Sequence, residues 1–187
     1  MSREAFEQAV PFFVGTVTRV EPEQWETLAL GVWSVRDLVG HTARAMLTVE
    51  QYATVGADRT GFGTAEEIAE RGRAAGRALG DDPAGAVREI AARVLSLVGG
   101  LPDDHPLKTP AGERPLVRYL GSRVAELTIH TVDLAEALGL EVEVPAECWR
   151  ATLYSLADMA VRGGTASQVA FALTGRRALS DGFSLVP

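Results

Sequence analysis

Residues 115–139 read PLVRYLGSRVAELTIHTVDLAEALG, and their apolar positions decide the fold class. Val117, Leu120, Val124, Leu127, Thr131, Leu134 and Leu138 advance by alternating steps of three and four. That rhythm lines one face of an α-helix with the kind of seam that packs in bundles, with a polar break at Thr131. Pro115 suits the first helical turn, where its missing N–H is not needed, and Gly139 suits the left-handed position that closes a helix. The expected helix is 115–138.

The same punctuation recurs on either side. Ser34-x-x-Asp37 has the spacing of a capping box, with Asp in place of the usual Glu. It opens a helix in which Val35, Leu38, Val39, Thr42, Met46, Val49 and Ala53 recur at helical spacing up to about Gly56. Thr64-x-x-Glu67 opens a polar helix, rich in Ala and Arg, that ends near Gly80. Asp82-Pro83 supplies an N-cap and a first-turn proline for a helix over 83–98, stopped at Gly99-Gly100.

Residues 3–19 form a first helix that Pro11 is expected to bend or break in two, followed by a short turn at Glu21–Gln24. The stretches 58–64 and 101–114, the latter with three prolines, read as loops. After residue 139 come a helix at about 146–161, Gly163-Gly164, a short helix near 166–173 and a tail. Only Leu140–Val144 alternates like a strand. The pattern predicts an all-α protein, most simply a four-helix bundle with additional short helices, as one domain over 1–187.

Composition narrows the function classes. Hydrophobic residues make up 47% and charged residues 23%, which gives enough apolar material for a core without disulfide staples. Cys148 is the one cysteine, so neither a disulfide within the chain nor a Cys-based zinc site is possible; a buried structural thiol is expected. The net charge of −7 and the scattered basic residues argue against a nucleic-acid partner or a helical transcription regulator. The N-terminal MSREAFEQAVPFF lacks the long apolar run of a signal peptide, and no stretch approaches the ~20 apolar residues that span a bilayer. A cytoplasmic location without membrane partners is expected. Homodimerisation through an exposed apolar stripe is also expected, with no face assigned.

The candidate chemistry lies in the three histidines, His41, His105 and His130. Glu126 and His130 are spaced i, i+4, so one rigid helix stacks a carboxylate and an imidazole on the same face, able to grip one metal ion. A third ligand must come from another helix, and His41 is the candidate. On a wheel of about 100° per residue, all three lie at the edge of their helices' apolar seams, where a pocket mouth would form. The same spacing is also that of an ordinary solvated surface pair, so spacing alone leaves both readings open. His105, between Asp104 and Pro106, is expected to be exposed. Tyr119, Arg123 and Asp133 fall near the face of the candidate ligands and could contact a substrate or a partner of a ligand; surface or ion-pair roles are expected of Arg123 and Asp133. No phosphate-binding loop, dinucleotide fingerprint, HExxH or nucleophile elbow occurs, and no catalytic acid or base can be named.

Residues 31–45, GVWSVRDLVGHTARA, resemble the W-S/T-V-x-D-L-x-x-H signature of the DinB-like superfamily. Within it, the resemblance is to the branch containing mycothiol-dependent maleylpyruvate isomerase. Residues 123–139, RVAELTIHTVDLAEALG, are similar to that branch's R-x-x-E-L-x-x-H-x-x-D-L-A-x-A-L-G helix, and the tail 172–184 resembles the way many single-domain members end. The resemblance implies four long helices with a long crossover. It also implies a divalent metal, usually zinc, on His41, Glu126 and His130.

In this family reading a low-molecular-weight thiol such as mycothiol occupies the open fourth position as co-substrate and attacks a small electrophile. The isomerase itself has a further C-terminal domain that helps form its active site. The expectation here is accordingly a metal-dependent thiol transferase or isomerase type of chemistry rather than action on maleylpyruvate. The alternatives are a non-catalytic metal-dependent protein that binds or senses a small molecule, and an interaction protein in which the three residues bind nothing.

Overall fold

The computed structural model describes residues 2–58 and 63–185. Most of the expected 58–64 loop therefore lies outside the described residues. The helices are α1 (Ser2–Val17), α2 (Val35–Thr54), α3 (Ala65–Ala78), α4 (Pro83–Gly100), α5 (Leu116–Ala137), α6 (Ala146–Arg162) and α7 (Ala166–Leu173). One 3-10 turn, Pro22–Gln24, and two antiparallel hairpins complete the described elements: β1 (Leu28–Leu30) with β2 (Trp33–Ser34), and β3 (Pro106–Thr109) with β4 (Gly112–Pro115).

The protein has the all-α, DinB-like fold. Helices α1, α4, α2 and α5 are neighbours in that order around a closed ring, which makes the four-helix bundle. Helix α3, on the long connection between α2 and α4, packs on α2; α6 packs on α5 and α1, and α7 on α6. Fully buried Phe6 and Phe13 from α1, Leu38 and Met46 from α2, and Leu120, Leu127 and Leu134 from α5 fill the centre. Each such side chain contributes roughly 1.5–3 kcal/mol through removal from water.

The helix ends form as their residues dictate. The Ser34 backbone N–H donates to the Asp37 carboxylate and the Asp37 N–H donates to the Ser34 hydroxyl, both at 3.2 Å. Thr64 and Glu67 exchange the same pair of bonds at 2.8 and 3.2 Å. At the end of α5, Gly139 adopts φ +65°, and Leu140 N–H reaches back to the Ala135 carbonyl at 2.8 Å, the closure that a left-handed glycine permits. Arg3 fastens α1 to the end of α4: it donates to the carbonyls of Val98 and Leu101 and to the Asp103 carboxylate.

Of the two outcomes expected at Pro11, the break does not occur: α1 runs unbroken through it, and Pro11 and Glu7 both lie on the exposed side. The carbonyl that Pro11 cannot serve therefore faces water, while Val10 and Phe13 hold the helix to the core. Residues 101–114 are not all loop, since they hold β3 and most of β4. Leu107 and Thr109 alternate inward between exposed Pro106 and Lys108, and the prolines sit at the strand start and in the turn, where no ladder N–H is required. Leu140–Val144 is not a strand; it has no paired neighbour, and Leu140 and Val144 pack on the core individually.

Helices α2 and α3 meet at backbone distance. A Cβ placed on Gly40 would lie 2.1 Å from the Gly76 nitrogen and 2.5 Å from its Cα. One turn earlier on α3, a Cβ on Gly72 would fall 2.9 Å from the Trp33 indole. The glycines let α3 press the β2 tryptophan against α2.

Candidate metal centre

Beside its apolar seam, α5 carries a second stripe one residue earlier at each step: Tyr119, Arg123, Glu126, His130 and Asp133. The facing stripe of α2 contains His41, Thr48 and Tyr52. Tyr119 donates its hydroxyl to Thr48 at 2.9 Å and lies 5.5 Å, ring to ring, from Tyr52. That contact seals the lower part of the stripe, and the upper part is where the candidate ligands meet.

His41, Glu126 and His130 each present one donor atom, and the three atoms lie within 4.8 Å of one another. Glu126 Oε2 is 3.5 Å from His130 Nε2 and 3.8 Å from His41 Nε2. These separations are too long for good hydrogen bonds. A tetrahedral centre about 2.0–2.2 Å from each ligand, the zinc–imidazole and zinc–carboxylate range, has edges of roughly 3.3–3.6 Å, so the Glu126–His130 pair stands at ligand spacing and the Glu126–His41 pair slightly wide of it. The imidazoles are mostly covered, with side chains 16% and 18% exposed, whereas the Glu126 side chain is 37% exposed, so the cluster opens toward solvent on the Glu126 side. Two imidazoles and one carboxylate are a donor set that fits zinc.

The two imidazoles are held differently. His130 Nδ1 is 2.9 Å from the Asp133 carboxylate, one turn on, so an Nδ1–H donates there and Nε2 is the nitrogen that faces the cluster. His41 Nδ1 is buried without a hydrogen-bond partner, and the ring instead stacks on Trp33 with centroids 4.3 Å apart and planes 31° from parallel. The two histidine rings meet edge to face at 5.0 Å.

The charges follow from these contacts. Burial opposes charge on His130, yet Asp133 and Glu126 outweigh it and push the imidazole up to about 9, so a cation binding at Nε2 must displace the proton there. Burial, aided by the neighbouring His130 and Arg44 charges, draws His41 below its ordinary value despite Glu126. For Glu126, burial is overcome by its contacts with His130 and His41 and by the Arg123 charge, which hold it well below the usual carboxylate range. Arg123 lies over the Tyr119 ring at 4.9 Å, with its Nε donating to Ser122 at 3.3 Å.

All three candidate ligands from the sequence are therefore brought together at the edge of the core. His105 stands apart, half-buried before β3 where exposure was expected; its carbonyl accepts from Leu116 N–H at 2.8 Å. Cys148 is buried, its thiol 3.6 Å from the Ala5 carbonyl, as expected of a structural thiol. Two shallow surface hollows, one on α3 around Glu70 and one between α1 and residues 141–143, lie away from the cluster. Among the described residues no helix is long and apolar enough to cross a membrane.

Asp133 takes the ion-pair role that the sequence allows it, with His130 as its partner. Sequence reasoning missed one neighbour. Trp33 stands just before the α2 N-cap, eight residues from His41 and in the same 31–45 signature, but helical periodicity does not pair the two.

Residues 6–135 match the family described as "Mycothiol maleylpyruvate isomerase N-terminal domain". Neither a curated protein nor a solved structure matches the chain.

Proposed function

The chain belongs to the mycothiol maleylpyruvate isomerase N-terminal domain family, and we propose that it is a metal-dependent thiol transferase or isomerase. In this reading His41, Glu126 and His130 hold one divalent cation, zinc by the nature of the donors. The co-substrates are a low-molecular-weight thiol such as mycothiol and a small electrophile. The observation that carries the reading is the convergence of three donor atoms from two helices within 4.8 Å.

Three protein ligands leave a fourth position open, the pattern of a catalytic site. A cation held there supplies Lewis acidity, which lowers a thiol's pKa so that the thiolate is available at neutral pH. The chain's own residues do the rest. Asp133 holds the Nδ1 proton of His130, so that Nε2 is the nitrogen turned to the cation once its own proton has left. Glu126 contributes negative charge on the solvent side, from which a thiol arrives. In the addition, sulfur bonds to an electrophilic carbon of a double bond and the displaced proton goes to the adjacent carbon; reversal returns the thiol. A cytoplasmic setting suits this chemistry, because small thiols stay reduced there.

The test is conjugation of mycothiol with a panel of activated alkenes and haloalkyl compounds, followed by thiol loss and product mass. Metal-loaded protein is expected to form conjugate, chelator-treated protein to form none, and zinc to restore the product. Saturable thiol binding without product across the panel would replace the enzyme with a binding protein. Asp133→Ala is expected to weaken zinc affinity about 10–100-fold, since the partner of a ligand imidazole is lost. Competition with a chromophoric chelator measures this, and an unchanged affinity would remove Asp133 from the centre.

A further inference from the structure

We infer that Trp33 is the positioning residue for His41, taking by stacking the part that a hydrogen-bonding carboxylate plays for His130. The inference rests on the reading of the three residues as a metal centre, but its first readout does not require the ion. His130 is fixed by Asp133 at 2.9 Å, whereas His41 Nδ1 is buried with no partner at all. An imidazole on a helix can turn about its terminal torsion, which is broad, and a broad torsion places Nε2 poorly. The neighbour that defines the plane of His41 is the indole at 4.3 Å, tilted by 31°.

The indole itself is locked. Its Nε1–H donates to the Ala69 carbonyl of α3 at 3.0 Å, and Gly72 closes on the ring so tightly that a methyl group would lie 2.9 Å from it. The same ring reaches His130, edge to face, at 6.4 Å. Trp33 is 9% exposed, so the wedge is held on all sides. One ligand is thus oriented within α5 itself, and the other through a tryptophan clamped by α3. Precision at His41 depends on the seating of a helix that supplies no ligand.

The experiment compares Trp33→Phe, which keeps a stacking ring without the N–H, with Trp33→Leu, which keeps neither. In chelator-treated protein, the nuclear Overhauser contacts between the His41 and His130 ring protons are expected to persist in Trp33→Phe and vanish in Trp33→Leu. Zinc affinity should stay within about threefold in Trp33→Phe and fall about 10–100-fold in Trp33→Leu, the scale of losing an outer partner of a ligand. Trp33→Met, which fills the space without a fixed plane, carries the same expectation if the leucine variant does not fold.

Arg3→Ala, which unfastens α1 from α4 far from the centre, is the control for general destabilisation and should leave contacts and affinity intact. A folded Trp33→Leu or Trp33→Met that retains the ring contacts overturns the inference. So does an Arg3→Ala that loses as much affinity. If the wild-type chain binds no zinc, the proposed function fails, and the ring contacts still decide the role of Trp33.

Discussion

His130→Ala is expected to lose the thermal stabilisation that zinc gives the wild-type chain. Ligand that binds only the folded state stabilises it by about 2.7 kcal/mol at a hundredfold excess over Kd, which for a chain of this length raises Tm by roughly 5–11 °C. With His130 gone, the remaining His41 and Glu126 stand 3.8 Å apart on different helices, without the imidazole that Asp133 aims at them. Scanning calorimetry with and without zinc should therefore show a clear upward shift for the wild type and none for the variant. Glu126→Gln, which keeps the shape and removes the charge, should lose most of the same shift. An equal zinc shift in all three proteins would mean that the ion binds elsewhere.

Gly40→Ala is expected to destabilise the fold by about 3 kcal/mol or more, although helix propensity alone predicts a gain of about 1 kcal/mol. Its Cβ would lie 2.1 Å from the Gly76 backbone nitrogen, and backbone cannot swing aside as a flexible side chain can. Helices α2 and α3 would have to separate, which takes α3 away from Trp33. The expected fall in Tm is roughly 6–12 °C. Gly99→Ala, whose added carbon meets nothing within 4 Å, is the matched control and should leave Tm level or raise it slightly. A neutral Gly40→Ala would show that the two helices are not in backbone contact.

The helices were legible because their signals are local. The Ser34–Asp37 and Thr64–Glu67 boxes, the first-turn proline at 83 and the glycine at 139 all act within a few residues, and each formed as its chemistry predicts. The apolar rhythm of 116–137 likewise needed only one helix to be read. What went unread depends on partners distant in sequence. The β3–β4 hairpin hid behind three prolines, and the inward alternation of Leu107 and Thr109 became visible only against the bundle.

The centre divides in the same way. Glu126 and His130 share one helix and could be paired by spacing, while His41, on another helix, was reached as the remaining candidate and through family resemblance. Trp33 and His41 share one segment and one signature, but their stacking also needs Gly72 of α3 to close on the indole, and that approach leaves no period in the sequence.

In the proposed centre two helices join two imidazoles and a carboxylate around one ion. Metal analysis of protein purified without chelators, with X-ray absorption at the zinc edge of the same sample, decides it. About one equivalent of metal per chain is expected, with a first shell of two imidazole nitrogens, a carboxylate oxygen and one exchangeable light atom or sulfur. Protein that is metal-free and stays so on zinc addition, or a shell without two imidazoles, would contradict it.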